Sequence, residues 1–237
     1  MEIHLRSTPK NVTVIEGFPG FGLVGSIVTE FLVNHLNTEK IGSVFIPKMS
    51  PIIAIHNKEI VEPVSIYYNE KYNLIIFHIV TVAKGIEWEL ADAITKVSEE
   101  LNARQIVCIE GVNSNVVSDK PDVFYYSNKP DIIAKLEQLS IKPMSEGIIM
   151  GATSALMLKL KDELPMSCFF AETHSNLPDS KASAEIIKVL DKYLGLEVDY
   201  SPLLKAAQEM EDKLKEILSK ASEVQKEQDM KTLSYVG

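Results

Sequence analysis

Residues 12–36 limit what this chain can fold into more than any other stretch. Val-Thr-Val-Ile-Glu-Gly at 12–17 is a short, β-branched apolar run, the composition of a strand buried on both faces. A glycine cluster, Phe18-Pro19-Gly20-Phe21-Gly22, follows at once, and from Leu23 to Leu36 apolar residues recur at helical spacing. The same alternation returns down the chain. Residues 41–47 read as a strand and 63–81 as a hairpin about the turn-forming Asn-Glu-Lys-Tyr-Asn; 85–102 read as an amphipathic helix and 105–112 as a strand. Helices are expected at 131–139 and 151–163, a strand at 165–173, and a helix at 180–195 that starts behind Asp179 as N-cap and closes on Gly195 in a left-handed cap. Strands and helices interleaved in this way predict an α/β architecture: a mixed, mainly parallel sheet flanked by helices, with the hairpin supplying the antiparallel part.

The chain has 237 residues, enough for one generous domain or one domain with an appendage. Apolar residues make up 46% and charged residues 24%, the balance of a globular protein and not of a disordered one. No apolar run reaches the roughly 18 residues that span a bilayer, and the first ten residues lack the pattern of a secretion signal. The expected location is the cytoplasm, which leaves the Asn11-Val12-Thr13 sequon without meaning. A net charge of −9 argues against nucleic-acid binding, which needs basic surfaces. Cys108 and Cys168 sit in apolar runs and read as buried small hydrophobes; the five histidines are scattered without helical pairing, so no metal site is expected.

After Gly195 the composition changes. Pro202 opens a helix that runs to about residue 230 with no Gly or Pro inside it. Its apolar residues are Leu203, Ala207, Met210, Leu214, Ile217, Ala221 and Val224, spaced 4, 3, 4, 3, 4 and 3, which is a heptad seam. So narrow a seam needs a partner helix or a groove: its own domain, a second copy, or a neighbouring subunit. The tail, 231–237, places Leu233, Tyr235 and Val236 in solvent unless something receives them. The expected division is a core domain at 1–197, a heptad helix at 198–230 and a flexible tail at 231–237.

For chemistry, Gly20-Phe21-Gly22-Leu23-Val24-Gly25 matches G-x-G-x-x-G in the right place, after a strand and at a helix start. The rest of a dinucleotide fingerprint is absent. The next strand ends in Pro47-Lys48 with no acidic residue for a ribose, and no Lys or Arg lies between Lys10 and Lys40 to help a phosphate. The pattern therefore reads as a tight strand-to-helix turn with close helix–sheet packing, and no cofactor is expected. Three strands end in a carboxylate, Glu16, Glu110 and Glu172, with His174 just beyond the last. Because ligands of open α/β sheets sit at the carboxyl ends of strands, Glu16, Gly20, Gly22, Glu110 and Glu172 form a candidate ligand cleft able to do acid–base work. The competing reading is that each carboxylate accepts N–H bonds from its own glycine turn. Phe124-Tyr125-Tyr126 fits either an exposed interaction surface or an edge strand with one buried face. No G-x-S-x-G elbow and no HExxH occurs, so no catalytic residue is assigned.

The run from Glu16 to Ser26, Glu-Gly-Phe-Pro-Gly-Phe-Gly-Leu-Val-Gly-Ser, resembles the signature of the archaeal and bacterial relatives of the proteasome assembly chaperones. Gly147-Ile148-Ile149-Met150-Gly151 and Pro178-Asp179 stand where that family places similar elements, and the resemblance spans roughly residues 10 to 205. It implies a phosphorylase- or hydrolase-like α/β fold. It also implies a non-enzymatic, homo-oligomeric chaperone that binds proteasome α-subunits, the α-ring or an associated AAA ATPase. Some members carry an ATP-grasp label, but the basic, glycine-rich clamp such a label requires has no counterpart here. Members that touch the α-ring use a C-terminal hydrophobic-tyrosine-any tripeptide, which would assign Leu233, Tyr235, Val236 and Gly237 to partner binding. This chain departs from that pattern: Tyr235 is third from the end and Ser234 precedes it, so the terminal carboxylate is displaced by roughly 3.3 Å of extended chain. The alternatives are a phosphorylase- or hydrolase-like enzyme working in the carboxylate cleft and a coiled-coil scaffold with another client.

Overall fold

The structure is a computed structural model that describes residues 1–49, 53–56, 58–80, 85–114, 120–161, 163–174 and 177–205. The chain divides into two compact units, Met1–Val198 and a second that begins at Asp199. The first unit holds strands β1 (Glu2–Leu5), β2 (Thr13–Gly17), β3 (Glu39–Phe45), β4 (Ala54–His56), β5 (Glu59–Val61), β6 (Val64–Asn69), β7 (Leu74–Ile79), β8 (Gln105–Asn113), β9 (Val123–Ser127), β10 (Lys142–Pro143) and β11 (Met166–Thr173). Its helices are α1 (Val24–His35), α2 (Glu87–Glu100), α3 (Pro130–Gln138), α4 (Ala152–Leu160) and α5 (Ser180–Leu194).

Nine strands form one sheet in the order β1-β3-β6-β7-β2-β8-β11-β9-β10, and β4 with β5 makes a separate small hairpin. The four central strands, β7, β2, β8 and β11, run parallel. The expectation of a mainly parallel sheet is narrowed here: four of the eight pairings are parallel and four antiparallel. The predicted hairpin became β6–β7 and adds one antiparallel pair; β3 and β1 extend it outward, and β9 inserts antiparallel beside β11. β9 is therefore not the edge strand expected of Phe124-Tyr125-Tyr126, although only Tyr125 of the three is fully buried.

Alternation along the central strands sorts their side chains to two faces. Val14, Ile106, Cys108, Met166, Cys168 and Phe170 belong to the apolar cluster that includes Leu90, Ile94 and Val97 of α2 and Ala155 and Leu156 of α4. On the other face α1 packs on β2, β7 and β8, and α5 on β11 and β9. Cys108 and Cys168 are paired in register, buried and unbridged. Helix α5 begins and ends as its sequence dictates: the Asp179 carboxylate accepts the Ala182 N–H at 2.9 Å, and Gly195 takes a left-handed φ of 69°.

In the second unit, residues 201–205, which include Leu203, are helical. Ala207, Met210, Leu214, Ile217, Ala221 and Val224 of the seam, and Leu233, Tyr235, Val236 and Gly237 of the tail, lie outside the described residues. Among the described residues no helix is long and apolar enough to cross a membrane.

Candidate functional site

The glycine loop joins β2 to α1 by backbone contact. A Cβ on Gly17 would stand 2.4 Å from the carbonyl oxygen of Gly25, and a Cβ on Gly25 would stand 2.6 Å from that of Phe18. Helix α1 thus lies directly on β2, where no side chain fits between them. Gly22 has φ 61°, and a Cβ there would meet the Thr173 hydroxyl oxygen at 2.7 Å; its carbonyl also accepts the Asp179 N–H at 2.8 Å. The space into which a phosphate would enter a dinucleotide loop is filled by this chain's own β11 and the start of α5, so the loop is a packing device.

The carboxylates are set by register. Glu16 on β2 pairs with Cys108 on β8, and Glu110, two residues on, pairs with Phe170 on β11; Glu172, two further on, pairs with Val112. All three therefore leave the same face of the sheet and climb diagonally, one strand across and one pleat up at each step, roughly 7–8 Å between neighbours. Glu16 is at the bottom and fully buried, and Glu172 is at the top and half-buried. β8 continues past Glu110 to Asn113, so this carboxylate lies inside the strand and not at its end.

Burial raises Glu16 well above the usual carboxylate range; the nearby Cys108 thiol partly opposes this, and the neighbouring charge of Glu110 adds to it. Neither Glu16 oxygen has a hydrogen-bond partner among the described residues. Burial therefore favours the neutral form of Glu16. Glu110 is raised to about 7, again by burial, with the neighbouring Thr153 hydroxyl acting the other way. The buried Oε2 of Glu110 and the Thr153 Oγ1 nevertheless lack a well-formed hydrogen bond. Glu172 accepts one from the Ser114 hydroxyl at 3.2 Å.

Above these steps lies a cleft of about 590 Å³ at the carboxyl ends of β8 and β11. Glu110, Gly111, Val112, Asn113 and Glu172 form its floor, with Phe21 of the glycine loop and Phe124 of β9 as walls; the irregular stretch from Pro143 to Met150 closes the remaining side. Of the five residues nominated from sequence, two line the cleft. Glu16 is sealed beneath the floor, Gly22 is spent on packing, and Gly20 only backs Glu110, whose Oε1 would lie 3.5 Å from a Cβ there. His174 is exposed and outside the lining. Among the described residues the bonds expected from the glycine turns are not seen at either Glu16 oxygen or at the buried Oε2 of Glu110; Gly111 packs so closely that a Cβ would stand 2.1 Å from the Phe21 carbonyl oxygen. The strap 143–150 is the part that sequence reasoning missed as a site. Its only signal was the apolar run Ile148-Ile149-Met150 between two glycines, which fits neither helical nor strand spacing.

The PAC2 family matches residues 14–218 of this chain. The uncharacterised protein MJ0106 of Methanocaldococcus jannaschii is 29% identical over 209 residues, covering 88% of this chain and 86% of its own. Among solved structures, Pyrococcus furiosus PbaA, an archaeal homologue of proteasome-assembly chaperone, superposes with a TM-score of 0.85 at 27% identity and 98% coverage of both chains. Pyrococcus furiosus PbaB, an archaeal proteasome activator, gives 0.78 at 26% identity, covering 91% of this chain and 98% of its own. With the family's match running from β2 through α5 and beyond, the chain belongs to the PAC2 family.

Proposed function

We propose that this protein is a non-enzymatic, cytoplasmic chaperone or adaptor of the proteasome that works as a homo-oligomer. Its core, 1–197, carries a heptad helix at 198–230 and a tail at 231–237. The helix and tail recognise proteasome α-subunits, the α-ring or an associated AAA ATPase. The observation that carries this reading is the end-to-end likeness to PbaA, reinforced by that to the activator PbaB. The heptad seam from Leu203 to Val224 supplies a surface for self-association. A single tail with one aromatic anchor, Tyr235, binds weakly; several tails on one oligomer raise the affinity through effective concentration. The phosphorylase-like alternative is disfavoured by charge, since among the described residues the lining of the cleft carries three glutamates and no Lys, Arg or His to hold a phosphate.

Cutting the chain after Met230 tests the proposal. Binding to purified α-subunits, followed by native mass spectrometry, is expected to fall at least about tenfold while the circular dichroism spectrum and melting curve stay unchanged. Undiminished binding by the shortened protein would refute the role of the tail, and a full-length protein that stays monomeric would refute the oligomer.

A further inference from the structure

The geometry points to the strand-end cleft as a docking site for a partner protein segment that presents an arginine or lysine between apolar side chains. The proposal does not rest on the role given above to the C-terminal helix and tail.

Charge complementarity selects the occupant. Glu110, Glu146 and Glu172 line the cleft, and among the described residues none of them is held in an ion pair. On the floor, the buried Oε2 of Glu110 has no well-formed hydrogen bond among the described residues. A guanidinium offers several donors in a fixed fork, which suits carboxylates that stand apart on neighbouring strands. The aliphatic stem of such a side chain would lie along the Phe21 wall while its head meets the floor.

The lip favours a protein segment over a small cation. Ile148 is 88% exposed and Met150 65%, both beside the mouth of the cleft. A metal ion would leave them in water, and among the described residues no group of three His, Cys, Asp and Glu side chains is placed to hold one. A segment of protein covers them with the residues that flank its basic side chain.

Fluorescence anisotropy of the full-length protein with fluorescein-labelled peptides tests this directly. The probes carry Leu-Arg-Leu, Leu-Glu-Leu or Ser-Arg-Ser in a Gly-Ser background. Leu-Arg-Leu is expected to bind best. Glu110→Gln with Glu172→Gln should weaken it about tenfold or more through lost charge-assisted hydrogen bonds. Ile148→Ser with Met150→Ser should weaken it by about the same factor through lost apolar contact. Both positions of the second pair are exposed, so that variant keeps its fold, and the protein cut after Met230 should bind Leu-Arg-Leu as well as the full chain does. Failure of Leu-Arg-Leu to bind, equal binding of Leu-Glu-Leu, or affinity that survives both double variants overturns the proposal. So does a change of oligomeric state in those variants without any peptide binding, which would assign the cleft to a second copy of the chain.

Discussion

Gly17→Ala is expected to lose about 3 kcal/mol or more of folding stability, a large part of the roughly 5–15 kcal/mol a domain possesses. The new methyl would sit 2.4, 2.6 and 2.8 Å from the oxygen, carbonyl carbon and Cα of Gly25. All three are backbone atoms of α1, so no side chain can swing away; the helix itself must lift from β2. That movement would open the packing of Val24, Val28 and Leu32, which are fully buried on α1. Gly20→Ala is the matched control, because its Cβ would meet only the Glu110 side chain at an ordinary 3.5 Å. Urea unfolding of the two variants beside the parent checks the difference. Equal midpoints for Gly17→Ala and Gly20→Ala would show that the close approach of helix and strand does not require a glycine at position 17.

Glu110→Gln should change the pH dependence of stability as strongly. Glu110 has its pKa raised from about 4.5 to about 7 on folding. Between those values the folded chain binds a proton that the unfolded chain does not, so stability falls as pH rises through this window and levels off above it. The ionised carboxylate at pH 8 therefore costs about 3 kcal/mol relative to a side chain that never ionises. Glu110→Gln is expected to be more stable than the parent by about that amount at pH 8, and nearly equal to it at pH 4.5. Urea unfolding at both pH values measures this. Parallel pH profiles for the two proteins would mean that Glu110 titrates as an ordinary surface carboxylate. Glu16 is shifted in the same direction and lies in the same face, so a pH slope persists in the variant.

Local features were readable from sequence where one residue type has one physical reason to be present. Asp179 and Gly195 marked both ends of α5, and the glycines between Gly17 and Gly25 marked a helix laid closely on a strand. The carboxylate site was half readable. Each Glu could be placed near the end of a strand, yet its height depends on how adjacent strands align, and that alignment is fixed by non-local pairing. Glu16 sits a full pleat lower than Glu110, and that offset is why one is sealed and the other reaches the cleft. Nor could β1 be seen in Glu2–Leu5, whose half-exposed residues carry no buried run, or β9 be oriented against β11. The strap 143–150 has no period to read, since its side chains line a cleft and do not belong to a layer.

The two ends of the sheet also decide how a neighbour can approach. β10 is two residues long, its second residue is a proline without an N–H, and the next amide, that of Met144, is already given to Tyr125. β1, at the opposite margin, offers four residues with Glu2 and His4 exposed. Strands this short and this charged give an incoming chain almost no ladder to continue. The protein can thus be crowded against copies of itself without fusing into a growing β-ribbon, and contacts through side chains stay reversible.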